Sequence, residues 1–391
     1  MEMTDTKVDK ANGAISHIVG TFVIDAVGSY LNGAGLRNVE NRNISEVKAF
    51  WVNGSNGKIP IPYWSSQSFR RALRDTLIEE TGWQPSELKA LKVNTDGNVS
   101  KIGAEFNPID FPEDDIFGYM RTEKGSGKAA IADNVVDDAE GEQPGPAQPK
   151  GRKRVRTLAR ESPLSNSIVM SINNTSRNIH TDEAYVHLKE GNPLPYSTEF
   201  YVTNMQGIFS LNYKRLGVFK NLGDRIELDE SEDKAEQFLK DGKVHILEDK
   251  GKLGKIYEMD KAETWRKKRA SELLKALSVL RGGAKQAAFG TDISPKVLVC
   301  AGLTCGNPIF NNSLFTDDKN GIVLKVKTIK EIVKDYKNKI CTTVFVGIRS
   351  GFLGNEEDVR TLTEHEGVNF EVTTPIDAAN RMANTILSEK T

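Results

Sequence analysis

The segment PYWSSQSFRRALRDTL contains the residues best suited to bind a phosphate backbone. Phe69, Leu73 and Leu77 recur every four positions, which predicts an amphipathic helix over Ser66–Thr81 that ends at Gly82. Either of the two adjacent serines that follow the tryptophan of this segment can cap such a helix. The exposed N–H groups and partial positive charge of a helix N-terminus favour an anion.

The polar face of this predicted helix carries one amide and three guanidinium groups. If the apolar stripe faces the core, the opposite side presents Gln67, Arg70, Arg71 and Arg74. Hydroxyl, amide and arginine groups beside a helix start are the usual ligands of a nucleic-acid backbone. The alternative is a capped surface helix whose arginines are merely solvated.

Two glycine-containing loops offer further hydrogen-bond donors. Residues 28–43, GSYLNGAGLRNVENRN, follow the first predicted strand, and Gly33 and Gly35 would let the backbone approach a ligand closely. An Asn/Gly-rich turn is the alternative there. Residues 280–292 form a short basic loop, in which a helix C-cap would explain Gly282 but not Lys285 or Gln286.

Fragments of the sequence that partly match catalytic or metal-binding motifs lack residues that those motifs require. The fragment EKGSGKAA has Thr122 in place of the first glycine of a phosphate-binding loop and Ala129 in place of its Ser or Thr. Cys300 and Cys305 have no paired Cys or His at metal-ligand spacing, and the five histidines share no spacing. We therefore expect a protein that is not an enzyme and has no cofactor.

The composition is that of an ordinary globular chain of 391 residues, with 38% hydrophobic residues and a formal net charge of −1. It excludes disordered, collagen-like and polycationic proteins, although a neutral total permits a local basic groove. The N-terminus lacks the apolar core of a secretory signal, and His17, Asp25 and Gly28 interrupt the most apolar stretch. Three scattered cysteines fit a reducing compartment, so we predict a cytoplasmic protein without a membrane partner.

The predicted elements alternate in the order β-α-β-β-α-β, with long insertions. Besides the first helix, helices are predicted over 260–280 and from Pro375 onward. Runs rich in β-branched and aromatic residues predict strands over His17–Val27, Ser167–Ile172, Glu199–Leu211, Lys296–Gly302, Gly321–Lys327, Thr342–Arg349 and Val368–Thr373. Residues 121–150 are rich in Gly, Pro and carboxylates and lack aromatics, which predicts a mobile insertion, followed by the basic run KGRKRVRTLAR. This element order is typical of an α+β, ferredoxin-like or RNA-recognition-motif core.

Taken together, six segments resemble the backbone subunit of the type I CRISPR surveillance complex, Cascade, in the I-B or DevR-type branch of the Cas-seven family. They occur in the family's order and span residues 20 to 305. They are GTFVIDAVGSYLN, PYWSSQSFRRALRDTL, DDIFGYM, SPLSNSIVMSI, EFYVTNMQGIFSLN and LRGGAKQAAFGTDISPKVLV.

The resemblance implies a hand-shaped α+β chain. The palm, an RNA-recognition-motif core with a C-terminal extension, is expected over 14–95 and 199–391. A finger insertion is expected over 96–173, with a mobile segment over 121–156, and a thumb hairpin over 174–198.

The resemblance also implies a non-enzymatic scaffold that binds CRISPR RNA. Several copies polymerise head to tail along the guide, other Cascade subunits join them, and target DNA is recognised by pairing with the guide in antiviral defence. The residues that match RNA-contacting positions of the family are Asn32, Lys48, Ser65, Ser66, Gln67, Arg70, Arg74, Lys285 and Gln286. Gly33 stands where some members have a basic residue, and Arg37 is the candidate to replace it. Candidate wedge residues of the thumb are Leu188, Leu194 and Tyr196.

Three alternatives remain open at this stage. The same scaffold can serve an RNA-guided transposition complex. Related type III subunits cut target RNA with an aspartate in the loop after the first strand, where this chain offers only Glu40 as a carboxylate. A transcriptional regulator is a third possibility, but the sequence shows no helix-turn-helix with a recognition helix.

Overall fold

The computed structural model shows a mixed α+β chain with several sheets. No helix among the described residues is long and apolar enough to span a membrane. From residue 122 onward, the predicted mobile segment 121–156 lies outside the described residues. The structure describes residues 14–34, 44–54, 57–87, 89–93, 99–103, 106–121, 157–172, 178–187, 189–230, 233–318 and 321–388.

The helices and strands are numbered in chain order. The helices are α1 (Ser66–Thr81), α2 (Pro112–Phe117), α3 (Lys234–Lys240), α4 (Ala262–Ser278), α5 (Gln286–Phe289), α6 (Val326–Tyr336), α7 (Glu356–Arg360) and α8 (Pro375–Ser388). The strands are β1 (His17–Asp25), β2 (Ile44–Ser45), β3 (Ala49–Gly54), β4 (Gly57–Trp64), β5 (Lys89–Val93), β6 (Val99–Gly103), β7 (Tyr119–Arg121), β8 (Thr157–Arg160), β9 (Leu164–Asn166), β10 (Val169–Ser171), β11 (Ile179–Val186), β12 (Leu194–Tyr201), β13 (Asn204–Asn212), β14 (Val218–Leu222), β15 (Arg225–Ile226), β16 (Val244–Asp249), β17 (Gly254–Met259), β18 (Val297–Leu303), β19 (Phe315–Asp318), β20 (Gly321–Leu324), β21 (Val344–Ile348), β22 (Glu364–His365) and β23 (Val368–Thr373).

The chain divides into two compact units. The first contains Met1–Pro85, Pro163–Leu216 and Glu263–Thr391, and the second contains Ser86–Ser162 and Gly217–Ala262. These units differ from the predicted boundaries at residues 86–95 and 163–173, which were assigned to the palm and to the finger, respectively. They also differ at residues 217–262, which were assigned to the palm. In the structure these residues form a sheet with part of the predicted finger, because β15 pairs with β8 and β14 pairs with both β15 and β17.

The first unit is built on a large sheet with the strand order β22-β23-β21-β18-β1-β13-β10-β4-β3. Its central strands β18, β1, β13 and β10 are all antiparallel to their neighbours. The register places Phe22 of β1 between Leu298 of β18 and Gly207 of β13. Glycine is needed at position 207, since a Cβ there would lie 2.4 Å from the ring of Phe22.

Both faces of the central strand β1 are buried. On one face the ring of Phe22 stacks on that of Phe69 from α1, with ring centroids 5.3 Å apart. On the other face, Val19 and Val23 belong to a core cluster that also contains Phe310, Leu314 and other residues of the C-terminal extension, the part of the chain that follows β18. Both faces of this strand are therefore covered by the protein's own residues.

The second unit has a six-stranded sheet with the order β16-β17-β14-β15-β8-β7. Its core contains a fully buried guanidinium, that of Arg160, which forms ion pairs with Asp115 and Glu227. The Arg160 guanidinium also lies over the ring of Phe219, 4.6 Å from its centroid. Helix α2, whose carboxylates are buried, and strand β8 are held together by this arginine.

Two predicted strands have different structures from those expected. Glu199–Leu211 was predicted as one strand, but the chain breaks at residues 202–203 into β12 and β13, which belong to different sheets. Gly321–Lys327 was predicted as a strand, but β20 ends at Leu324 and α6 begins at Val326. The buried residues Ile329 and Val333 of α6 are spaced four apart, a helical period that the β-branched composition of this segment obscured.

Candidate nucleic-acid interface

Helix α1 has the predicted bounds and begins without a side-chain cap. Ser65 occupies the N-cap position in an extended conformation, and its carbonyl accepts the first helical hydrogen bond from the N–H of Phe69 at 2.9 Å. Among the described residues, the Ser65 hydroxyl makes no capping bond to the helix. At the other end, Gly82 adopts the left-handed conformation and donates its N–H to the carbonyl of Ile78. The first-turn N–H groups therefore remain available to an anion.

The loop after β1 meets the start of α1 directly. The amide nitrogen Nδ2 of Asn32 donates to Oγ of Ser65 at 3.2 Å, and both residues are buried. These two residues, 33 apart in sequence, were predicted separately as backbone-contacting positions. The structure places them in contact.

The polar face of α1 is divided between exposed and anchored residues. Gln67 and Arg71 are exposed, and Arg71 donates to Asp75 at 2.8 Å. Arg70 and Arg74 are half-buried. Burial, with a smaller contribution from the neighbouring charge of Arg74, lowers the pKa of Arg70 to about 10. The helical period alone predicted that Arg70 faces solvent, and the structure differs from this prediction because the residue is half-buried.

Arg70 is anchored by strand β9, which sequence reasoning did not connect with α1. Its guanidinium donates to the carbonyl of Leu164 at 2.9 Å and to Oδ1 of Asn166 at 3.0 Å. The same Asn166 donates through Nδ2 to Oγ of Ser66 at 2.9 Å. Asn166 thus contacts the first two turns of α1, one at Ser66 and the other at Arg70, and the SPLSN segment gave no signal of this role beyond its asparagine.

Replacing Arg70 is expected to destabilise the first unit more than replacing its neighbour. Arg70→Ala leaves the Leu164 carbonyl and Asn166 Oδ1 without this donor, so the free energy of unfolding should fall by about 1–3 kcal/mol. Arg71→Ala removes only an exposed pair with Asp75 and should change it by less than about 0.5 kcal/mol. Urea denaturation of both variants measures the difference, and equal losses would contradict the anchoring role.

The glycine loop at 280–292 is fixed against the same region. The N–H of Ala284 donates to the carbonyl of Leu31 at 3.0 Å, and the hydroxyl of Thr291 donates to the carbonyl of Gly28 at 3.2 Å. Arg281 pairs with Glu79 and Glu80 of α1 at 2.6 and 2.5 Å. The three predicted segments therefore converge on residues 28–34.

Lys285 and Gln286 have different roles in this loop. Gln286 donates to the carbonyl of Gly282 and accepts from the N–H of Thr291, so both ends of its amide shape the loop itself. Lys285 is exposed, and its ammonium donates to Oγ1 of Thr198 at 3.0 Å and lies 4.8 Å from the centroid of the Tyr30 ring. Partial burial lowers the pKa of this ammonium. Lys285 thus links the loop to strand β12.

A buried tyrosine connects Lys48 to the same strand. The hydroxyl of Tyr201, at the end of β12, accepts the N–H of Lys48 and donates to the carbonyl of Tyr63, both at 3.1 Å. Burial raises the pKa of this phenol well above its ordinary value. Sequence analysis did not identify Tyr201, although it lies near the start of the aromatic-rich strand predicted over Glu199–Leu211.

Strands β11 and β12 form the hairpin that contains the candidate wedge residues. The register pairs Val186 with Leu194 and Ala184 with Tyr196, so Leu194 and Tyr196 lie on one face of the hairpin. Their side chains are 46% and 43% exposed. The third wedge candidate, Leu188, lies outside the described residues, as does Arg37, the basic candidate of the loop after β1.

The fold resembles that of chains in known CRISPR structures. Over 95% of this chain and 100% of the other, it matches a chain of a CRISPR RNA-guided surveillance complex in a pre-nicking state, with a TM-score of 0.50 and 10% sequence identity. A chain of a second CRISPR RNA-guided surveillance complex matches with a TM-score of 0.47 and 10% identity over 94% and 99% of the two chains. Csc2 of Thermofilum pendens matches over 76% of this chain and 70% of its own, with a TM-score of 0.30 and 13% identity.

Sequence comparison gives no further assignment. No protein-family model matches the sequence, and no curated protein is significantly similar to it. The likeness to the first of these structures concerns the fold, which is shared at 10% identity along nearly the whole chain. The chain thus has the fold of a chain found in a CRISPR RNA-guided surveillance complex.

Proposed function

We propose that this chain is the CRISPR RNA-binding backbone subunit of a Cascade surveillance complex. The observation that carries the proposal is the convergence of three donor-rich segments on residues 28–34, in a chain with the fold of a surveillance-complex chain. The uncapped start of α1 and the ammonium of Lys285 are groups that bind a phosphate backbone without reading bases. A backbone reader suits a complex in which the guide itself supplies sequence recognition.

The buried sheet supports placing the RNA at this convergence. An ordinary RNA-recognition motif stacks bases on the open face of its sheet. Here Val19 and Val23 on that face are packed under the C-terminal extension. The RNA path we propose therefore follows the start of α1 and the loops around residues 28–34.

The finer architecture we propose is a palm with an RNA-recognition-motif core. The strand order β18-β1-β13-β10, with α1 and α4 as the connecting helices in the sequence order β-α-β-β-α-β, supports this assignment. The hairpin β11–β12 is the proposed thumb. Its exposed Leu194 and Tyr196 are the residues we expect to wedge against the RNA held by a neighbouring copy.

The role we propose is non-enzymatic and belongs to antiviral defence. Copies of the chain polymerise as a helical filament along one guide, other Cascade subunits join the assembly, and target DNA pairs with the guide. The type I-B assignment rests on the resemblance of segments such as SSQ-x-x-RR and GGAKQAAF.

A salt series tests the proposed RNA site at Arg74. This half-buried cation on the polar face of α1 is expected to bind a phosphate, so Arg74→Ala should weaken binding about equally for all guide sequences. The slope of log affinity against log salt should flatten by about 0.7 for each phosphate of the single strand that the variant no longer neutralises. Arg360→Ala, at an exposed cation paired with Glu356 elsewhere in the same unit, is the matched control and should leave the slope unchanged.

Purification from cells that express a CRISPR array gives the more direct test. The proposal predicts a bound, ribonuclease-sensitive RNA of discrete length. A nucleic-acid-free monomer from such cells would contradict it, as would an Arg74→Ala variant with the slope of the wild type.

A further inference from the structure

A buried hydrogen-bond acceptor lies beside the uncapped start of α1. Asn32 is 8% exposed, and its Oδ1 atom finds no hydrogen-bond partner within the described part of the chain. The other end of the same amide is occupied, since Nδ2 donates to Oγ of Ser65 at 3.2 Å. A buried acceptor without a donor is unfavourable, and native proteins rarely leave one unless ordered water or a ligand supplies the donor.

The position of this amide is fixed from both sides. The carbonyl of Leu31, the preceding residue, accepts the N–H of Ala284 at 3.0 Å, and the N–H of Ala34 donates to the carbonyl of Glu46 at 2.8 Å. Ser65 in turn is the N-cap residue of a helix of 16 residues. The unpartnered oxygen is therefore held at the anion-binding end of α1 before any ligand arrives.

The start of α1 and the Asn32 amide together fit a ligand that carries both a hydrogen-bond acceptor and a hydrogen-bond donor. The free N–H groups of the first turn are donors and suit a phosphate oxygen, which is only an acceptor. Asn32 Oδ1 is an acceptor and requires a donor. A ribonucleotide carries both groups, because its 2′-hydroxyl can donate a hydrogen bond close to the backbone phosphate. A deoxyribonucleotide supplies the phosphate but lacks this donor.

We propose that Asn32, held by Ser65, selects RNA over DNA by accepting a hydrogen bond from one ribose 2′-hydroxyl. This inference rests on the proposed function, because it assigns a discriminating role to a residue of the proposed RNA site. It assigns backbone binding to the start of α1 and sugar discrimination to the loop after β1. The selected chemical group is the 2′-hydroxyl donor, and neither the base nor the net charge of the strand is read.

The test measures affinity of the full-length protein for one single-stranded RNA and for DNA of the same sequence. Asn32→Ala should lower the RNA-to-DNA affinity ratio about five- to tenfold, the equivalent of one hydrogen bond. Ser65→Ala, which releases the amide of Asn32, should lower the ratio by less. Asn369→Ala, at an exposed asparagine of β23 in the same unit and outside the proposed RNA site, is the matched control, and its ratio should equal that of the wild type.

Modified RNA tests the wild-type protein without any substitution. Strands with a single 2′-fluoro group at successive positions keep an RNA-like sugar but lack the hydroxyl donor. At least one position should then weaken binding as much as a 2′-deoxy group does. The 2′-fluoro series tests recognition of the 2′-hydroxyl even if the Asn32→Ala variant does not fold.

The outcomes separate the inference from the proposed function. RNA binding with an unchanged ratio in Asn32→Ala, or with no position sensitive to 2′-fluoro substitution, overturns the role of Asn32 and leaves the scaffold proposal standing. A wild-type protein that binds neither RNA nor DNA overturns both. A ratio that falls in Asn32→Ala but not in Asn369→Ala supports the inference.

Discussion

Phe69→Ala is expected to unfold the first unit, lowering its free energy of unfolding by about 3–5 kcal/mol. The Phe69 side chain is 1% exposed. Its ring stacks on Phe22 at 5.3 Å and meets the edge of Trp64 at 5.6 Å, so it joins α1 to both β1 and β4. Truncation removes the aromatic packing and leaves a cavity that the sheet cannot close, because β1 is fixed between β13 and β18.

Thermal and urea denaturation of the full chain measures this effect. Gln67→Ala, two residues earlier on the same helix, is the matched control, since its exposed side chain should change stability by less than about 0.5 kcal/mol. A loss in Phe69→Ala no larger than in the control would mean that α1 is not part of the core. RNA affinity should fall in proportion to the unfolded fraction.

The helix that carries much of the candidate site could be predicted from sequence because its signals are local. Three apolar residues at spacing four and a terminal glycine determine the bounds of α1, and the structure buries the predicted stripe of Phe69, Leu73 and Leu77. Local signals of this kind depend only on helical geometry. These signals do not depend on which other segments of the chain pack against the helix.

The strands were harder to predict where pairing is set by distant partners. The break between β12 and β13 places Tyr201 in the hairpin sheet and Met205 in the central sheet, although the run is continuously rich in strand-forming residues. In β13, Met205 pairs with Ile24 of β1, 181 residues away by the register. Strand propensity identifies extended chain but cannot identify such a partner.

The same limit explains the outcome at individual site residues. Spacing placed Arg70 on the polar face of α1, but only the tertiary fold brings the carbonyl of Leu164 within 2.9 Å of it. Gln286 looked like a ligand-binding amide, yet its two ends are used within its own loop. Conversely, the positioning role of Asn166 follows from its contacts with both Ser66 and Arg70, which are distant from it in sequence.

Asp115→Ala is expected to destabilise the second unit by about 3–5 kcal/mol, because it leaves a charged arginine in the core without its main partner. Arg160 is 3% exposed; it donates through Nε to the backbone carbonyl of Asp115 at 3.1 Å and through one terminal nitrogen, Nη2, to the carboxylate of the same residue. The remaining carboxylate, Glu227, lies farther away at 3.4 Å. Asp115 also accepts the N–H of Gly217 at 3.0 Å, so its removal orphans a buried backbone donor as well.

Glu161→Ala is the matched control, since Glu161 adjoins Arg160 in sequence but forms only an exposed pair with Arg225 at 4.0 Å. Its replacement should change stability by less than about 0.5 kcal/mol. Hydrogen exchange on the full chain distinguishes the units: Asp115→Ala should deprotect β14 and β17 while leaving the amides of β1 and β13 as in the wild type. Equal protection of β14 and β17 in both variants would show that the buried pair does not hold this unit together. A selective loss would show that residues 217–262 depend for their stability on the insertion that contains α2 and β8, which is why these segments form one unit although the first-unit segment Pro163–Leu216 separates them in the sequence.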